Sequence, residues 1–225
     1  VKCWVNDIES DKSVGSHIHI YTSRNIQITH NYIHDAFFFT GESTRGYGVT
    51  LSSHTCECLI QDNIFKHLRH AMMIKTGANA NVFGYNYSIE PYRSETIHDF
   101  SGDISVHGHY AFLNLFEGNI VQNIIIDHYW GPGGPYNTFF RNRAELYGII
   151  MTNNEILETK KQNFVGNEIT NLNFLYGNYI LTGSNHFEYG NNIKGNILPP
   201  DTDSLPDSSY YLTNIPDFWN VPSQW

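Results

Sequence analysis

An asparagine that returns at near-regular intervals constrains this 225-residue chain more than any other feature. Anchored on Asn31, Asn63, Asn86, Asn119, Asn142 and Asn167, the spacings are 32, 23, 33, 23 and 25 residues, a period near 23 with two longer steps. Flanking columns keep the same register. Three residues before the anchors stand Ile28, Ile60, Phe83, Phe116, Phe139 and Phe164. Two after them stand Ile33, Phe65, Ser88, Val121, Ala144 and Ile169, and five before them Ile26, Cys58, Asn81, Asn114, Asn137 and Gln162. A fixed period of this length marks a repeat architecture, in which one unit cannot bury its own apolar row and must stack on the next.

Within each unit apolar residues alternate in short runs, as in Ile18-Ile20, Ile26-Ile28, Ile124-Ile126 and Ile149-Met151, and Gly and Asn punctuate them. That pattern favours strands and tight turns over helices. The expected fold is therefore all-β: a right-handed parallel β-helix of about seven to eight coils. Like residues pile up at the ~4.8 Å strand spacing, and asparagine turns the corner, tolerating a left-handed conformation and bonding to its neighbour amide to form ladders. Two ladders are predicted, Asn31 to Asn167 and Asn81-Asn114-Asn137. Beyond Asn167 the register blurs, with Asn178, Asn191 and Asn196 competing for the next anchor. The solenoid is expected over residues 1–198, with an N-terminal cap or further coils missing and the chain read as a mature or truncated product. Pro199, Pro200, Pro206, Pro216 and Pro222 predict an irregular tail over 199–225, because proline cannot pair inside a sheet. Its aromatics, Trp219 and Trp225 among them, are expected to dock on the solenoid; the alternative is an exposed linker.

Thirteen Lys plus Arg against 22 Asp plus Glu leave a net charge of −9. This argues against a nucleic-acid binder, which needs a basic face to neutralise phosphates, and against docking on anionic membrane. No apolar run reaches the ~20 residues that span a bilayer. The three cysteines, Cys3, Cys56 and Cys58, imply no disulfide framework, and a buried strand cysteine is the simpler reading than a metal ligand.

The two longer steps carry insertions around Thr40–Tyr47 and Pro91–Gly102, expected to project from one side. Between them lies the densest ionisable patch: Lys66, His67, Arg69, His70 and Lys75. The register stacks Asp35, His67 and Glu90 in one column, His34 and Lys66 in a second, and Phe38, His70 and Arg93 in a third. Acid and base approach within one or two rises there, suitable for proton transfer across a bound substrate. The competing reading is an exposed face of ordinary cross-strand pairs. His107 and His109 form an H-x-H pair able to chelate a divalent metal ion from one strand face, although H-x-H alone is a weak signal and structural histidines bonded to backbone are the simpler reading. The stretch 127–137 is a Gly- and Pro-rich loop whose Tyr129 and Trp130 suit sugar stacking, and Arg141 and Arg143 follow as candidate carboxylate or sulfate forks. The alternative is a loop packed on its neighbour. No G-x-S-x-G elbow, P-loop, H-E-x-x-H or EF-hand loop occurs.

The segments RNIQITHNYIHDA (24–36), CLIQDNIFKH (58–67), RHAMMIKTGANANVFGYNYS (69–88) and HGHYAFLNLFEGNIVQ (107–122) resemble the pectate-lyase-like superfamily of right-handed parallel β-helices, in particular bacterial secreted β-helix proteins. The resemblance covers about residues 17–198 and implies fold more than activity. Members bind or cleave polysaccharides, often acidic ones, by β-elimination or hydrolysis; others are adhesins, tailspikes or shafts. The adjacent Asp pair of the galacturonase-type hydrolases and the carboxylate cluster of the calcium-dependent lyases do not occur here. A metal-independent lyase would use Arg69 or Arg93 to neutralise a uronate and Lys66, His67 or Lys75 to take the proton. Two readings stand at this stage. One is a secreted or cell-surface protein that binds a polysaccharide, and as an enzyme cleaves it, lyase before hydrolase. The other is a non-catalytic structural or adhesive module. Exposed strand edges at the solenoid ends would invite self-association.

Overall fold

A computed structural model of the chain describes residues 2–39, 45–92, 101–152, 158–206, 208–214 and 216. Among them there is no helix; every element is a strand, and one first sheet stacks eight parallel strands. In order these are Cys3–Asn6, Ile26–Thr29, Leu59–Gln61, Val82–Gly84, Leu115–Glu117, Thr138–Phe140, Asn163–Val165 and Phe187–Tyr189. After each, the chain turns into a 14-stranded sheet that supplies two further faces. The second face begins with Glu9–Ser13, Tyr32–Ala36, Ile64–Lys66 and Tyr87–Ile89. The third begins with Ser16–Tyr21, Tyr47–Ser52, His70–Ile74 and Ile104–His107. Two long strands, Ile120–Asp127 and Arg143–Met151, run through both faces and join them. The only antiparallel pairing among the described strands is the hairpin Asn191–Ile193 with Asn196–Leu198. Parallel sheets closing almost on themselves, with stacked amides inside, are consistent with a parallel β-helix.

The core is built by like-on-like stacking. Phe83, Phe116, Phe139 and Phe164 are register partners in the first sheet and fully buried. Their rings stack at 5.0, 5.1 and 5.1 Å between centroids. Ile28 and Ile60 continue the column below them. The third face contributes two inward rows, Val49-Met72-Ile104-Ile124-Ile149 and Leu51-Ile74-Val106-Ile126-Met151. Cys58 is a buried core residue, and all three cysteines are free.

The first ladder is continuous from Asn31 through Asn63, Asn86, Asn119, Asn142 and Asn167 to Asn191. Each side-chain N–H donates to the next side-chain oxygen at 2.8–3.1 Å. Asn191 is thus the anchor after Asn167. Each oxygen also accepts the backbone N–H of the preceding anchor, and each amide N–H reaches a backbone carbonyl of the coil before. The second ladder runs Asn81-Asn114-Asn137 and ends on Gln162. In one respect the expectation is corrected. The left-handed residue is the one before the ladder asparagine: His30, Asp62, Tyr85, Gly118, Arg141, Gly166 and Gly190 have φ between 53 and 62°. Asparagine serves the corner through its amide, which satisfies backbone groups that a bend leaves without strand partners.

The tail returns along the outside of the first sheet. Leu205 lies against Gly166, and the Pro206 carbonyl accepts from Arg141. Ser209 and the Tyr210 backbone N–H both donate to Glu117, the Tyr210 ring covers Phe140, and the Tyr211 hydroxyl reaches Gln61 at 3.0 Å. Trp219, Pro222 and Trp225 lie outside the described residues.

Candidate functional site

The ionisable patch expected to form one cleft is divided among different surroundings. His34 and Lys66 are register partners on the outward row of the second face. Lys66 Nζ sits 3.5 Å from Glu90, both partly exposed. Asp35, His67 and Glu90 occupy the next corner with φ of 54, 52 and 53°, and the His67 ring packs edge-on against Phe39 and Tyr92. Arg69 and His70 are buried instead. Arg69 donates to the Tyr47 hydroxyl at 3.2 Å, and His70 Nδ1 lies 3.0 Å from the Gly102 carbonyl. The strand partner of His70 is Tyr47, not Phe38, because the first insertion shifts the register ahead of the third face. Lys75 follows the end of a third-face strand, where burial lowers its ammonium below the ordinary lysine range. Arg93 and most of both insertions lie outside the described residues.

His34 is the hub of the second-face cluster. Its Nδ1 is 2.9 Å from Asp35 and 3.6 Å from Asp11, and its Nε2 is 3.1 Å from Glu9. The Asp35 hydrogen bond raises His34 above the ordinary imidazole range, and the same bond lowers Asp35 below the usual carboxylate range. Asp11, His34 and Asp35 bring ligand-type atoms within 4.8 Å of one another, the set the described residues offer a divalent ion. Asp11 was not singled out from sequence, although it stands one period of 23 residues before His34 and is its register partner.

His107 and His109 are engaged elsewhere. The Trp130 indole N–H, which can only donate, reaches His107 Nε2 at 3.0 Å. A neutral ring therefore carries its proton on Nδ1, which donates to the fully buried Asp127 at 2.6 Å. The other Asp127 oxygen accepts the Tyr129 backbone N–H at 3.0 Å. The Tyr129 ring lies nearly parallel to that of His107, 6.2 Å away between centroids, and meets Trp130 edge-to-face at 4.8 Å. Both aromatic side chains are more than half exposed. His109 pairs with Thr76 at 3.3 Å and faces the Trp130 ring. A buried carboxylate thus orients an imidazole, which in turn holds an exposed indole in one direction.

No protein family, curated protein or solved structure matches this chain. The site has to be judged on its own chemistry.

Arg141 and Arg143, expected as anion forks, are turned to the protein itself. Arg143 donates to the buried Glu168 at 2.7 Å, and Arg141 holds the tail through Pro206. Glu117, which no sequence signal marks, is fully buried and accepts from Tyr85, Ser209 and Tyr210. Beside it, on the outer side of the first sheet, a groove of about 460 Å³ has Leu115, Thr138, Asn163 and Phe187 as its floor and Tyr136 and Tyr210 as walls. None of its lining residues is charged; Lys161 sits over the Tyr136 ring at 5.8 Å.

Proposed function

We propose that the chain is a secreted or cell-surface, right-handed parallel β-helix of pectate-lyase-like type, with seven to eight coils, that binds a polysaccharide on its outer surface. The Tyr129–Trp130 pair carries the reading. An aromatic face packs against the C–H face of a pyranose ring, and a fixed ring loses little entropy when it does so. Here the indole is fixed by His107, and His107 by Asp127. Eight stacked strands in the first sheet fit the proposed coil number, and right-handed crossovers are the rule for parallel strands.

Binding is better supported than cleavage. A lyase needs a base and a carboxylate neutraliser in one open cleft. Lys66 on the second face and Glu90 at the corner after it are partly exposed, while Arg69 is buried against Tyr47. The test is a panel of neutral and uronic-acid polymers, assayed for retention by affinity electrophoresis and for degradation with and without chelator. Retention of at least one polymer is expected, weakened at least tenfold in Trp130→Ala with no product released. Retention unchanged by Trp130→Ala would sink the platform, and product release would return the protein to the lyases or hydrolases.

A further inference from the structure

A second surface feature lies on the corner between the second and third faces, well away from the aromatic platform. The loop 170–177 joins the strand Glu168–Ile169 to Asn178–Ile180 and carries the sequence Leu172-Asn173-Phe174-Leu175. Leu172 is 78% exposed, Phe174 86% and Leu175 54%. Scattered single apolar residues on a surface need no explanation, but three large ones on four consecutive positions do.

The loop is also built to hold its shape. Asn171 accepts the Asn173 backbone N–H at 3.0 Å, and Asn173 accepts that of Leu175 at 2.9 Å, two successive side-chain turns. The Lys194 ammonium clamps the loop from below, donating to the carbonyls of Asn173 at 3.0 Å and Tyr176 at 2.7 Å. Gly177, at φ 60°, lets the chain re-enter the sheet where a side chain would strike the Asn171 carbonyl. The polar groups are spent inside the loop, and the apolar ones point out.

The same chain offers a receptor for this knob. The groove on the first sheet is uncharged along its lining and has a volume of about 460 Å³. That lies within the ~300–1,000 Å³ of pockets that take compact apolar ligands. It has room for the Phe174 ring together with a neighbouring leucine. We infer that the 172–175 knob of one copy of this chain seats in the Tyr136–Phe187–Tyr210 groove of a second copy. Knob and groove sit on different faces, so the contact is heterologous: each copy that gives a knob still has a groove to fill, and the contact propagates instead of closing a dimer.

Area and charge set its strength. A ring and a leucine seated in one groove fall well short of the ~1,200 Å² of a standard stable interface, so association is weak and concentration-dependent. A net charge of −9 makes copies repel, whereas knob and groove lining are both uncharged, so salt strengthens the contact by screening the repulsion.

The experiment is sedimentation velocity on the full chain from about 10 μM to about 1 mM, the span of weak association, at low and high salt. The mean mass of the wild type is expected to rise with concentration, and more so at high salt. Phe174→Ser removes the knob and Thr138→Arg blocks the groove, both at exposed or partly exposed positions where circular dichroism checks that the fold survives. Each variant alone is expected to stay monomeric. Their mixture is expected to form a complex that stops at two copies, since one retains the groove and the other the knob. A wild type that remains monomeric to 1 mM overturns the inference, as does either variant associating like wild type or a mixture that stays monomeric. Flotation of monomeric wild type, but not Phe174→Ser, with phosphatidylcholine vesicles would assign the knob to a lipid surface and overturn it as well.

Discussion

Two corners of the early coils are turned by left-handed residues but secured in different ways. At the corner between the first sheet and the second face, a continuous amide ladder follows the left-handed residue, and each amide satisfies an N–H and a carbonyl of the preceding coil's backbone. At the next corner, Asp35, His67 and Glu90 make the turn, and Asn123 of a later coil bonds the backbone of Ser101 and Asp103 with its amide. Both long insertions leave the chain just after this second corner. In the next two coils the corner vanishes, as Ile120–Asp127 and Arg143–Met151 run through it with only an irregularity between Val121 and Asn123, and the coil after them restores it with the loop 170–177. The lesson is that the Asn31–Asn191 ladder holds its own corner to one length in every coil, because an inserted residue there would break the amide chain. The unladdered corner imposes no such rule, and both long insertions fall there.

The largest effect that would sharpen this contrast comes from the ladder itself. Asn119→Ala removes the acceptor of the Asn86 backbone N–H and the donor to the Phe83 carbonyl. Orphaned buried groups cost about 1–3 kcal/mol each, so a loss of about 4 kcal/mol is expected in urea denaturation. A loss below about 1 kcal/mol would reduce the ladder to decoration. Next comes Gly118→Ala, one residue earlier. At φ 61° an L-residue is strained, and the new Cβ would lie 2.6 Å from the Tyr85 ring. A cost of about 2 kcal/mol is expected in the same assay.

The pH dependence separates the corners further. His34 is raised by its bond to Asp35, so its contribution is complete below the ordinary imidazole value and disappears as pH rises through the shifted one. Asp35 is lowered, and its contribution disappears only as pH falls through its own depressed value. His34→Gln should therefore flatten the alkaline side of the stability curve by less than about 1 kcal/mol, because the group is partly solvated. His17, His19 and His128 are lowered by burial, so their contribution is present at neutral pH and lost on acidification. His34→Gln should also move the acid limb, because it frees Asp35 from the bond that holds it down and removes the imidazole that bears on His17, whereas the shares of His19 and His128 should be unchanged. Smallest of all, Lys66→Ala is expected to change stability by no more than about 0.5 kcal/mol, since the Glu90 pair is solvent-exposed.

The parallel stacking was legible in the sequence because it repeats. The Phe column and both ladders announce themselves at fixed spacing, and inward positions allow few residue types. The site was less legible. Arg69 and His70 are adjacent to Lys66 and His67 in sequence, yet they turn inward, because the insertion before Tyr47 displaces the register that would have stacked His70 with Phe38. Arg143 reads as a ligand fork until its buried partner Glu168, a full coil away, is known. The Trp130–His107–Asp127 relay joins residues 20 and 23 positions apart, and only the register of Ile104–His107 against Ile120–Asp127 brings them together. The groove needs Tyr210, which belongs to no repeat.

The returning tail changes how such an array comes apart. In a stack where each unit touches only its neighbours, units at the ends peel away first and melting spreads over a range of conditions. Here Tyr211 reaches Gln61, 150 positions earlier, and Ser209 and Tyr210 close on Glu117 between them. The last coils cannot fray without first releasing a strap anchored in the middle of the molecule, so the segment from Gln61 to Tyr211 should melt as a single cooperative block.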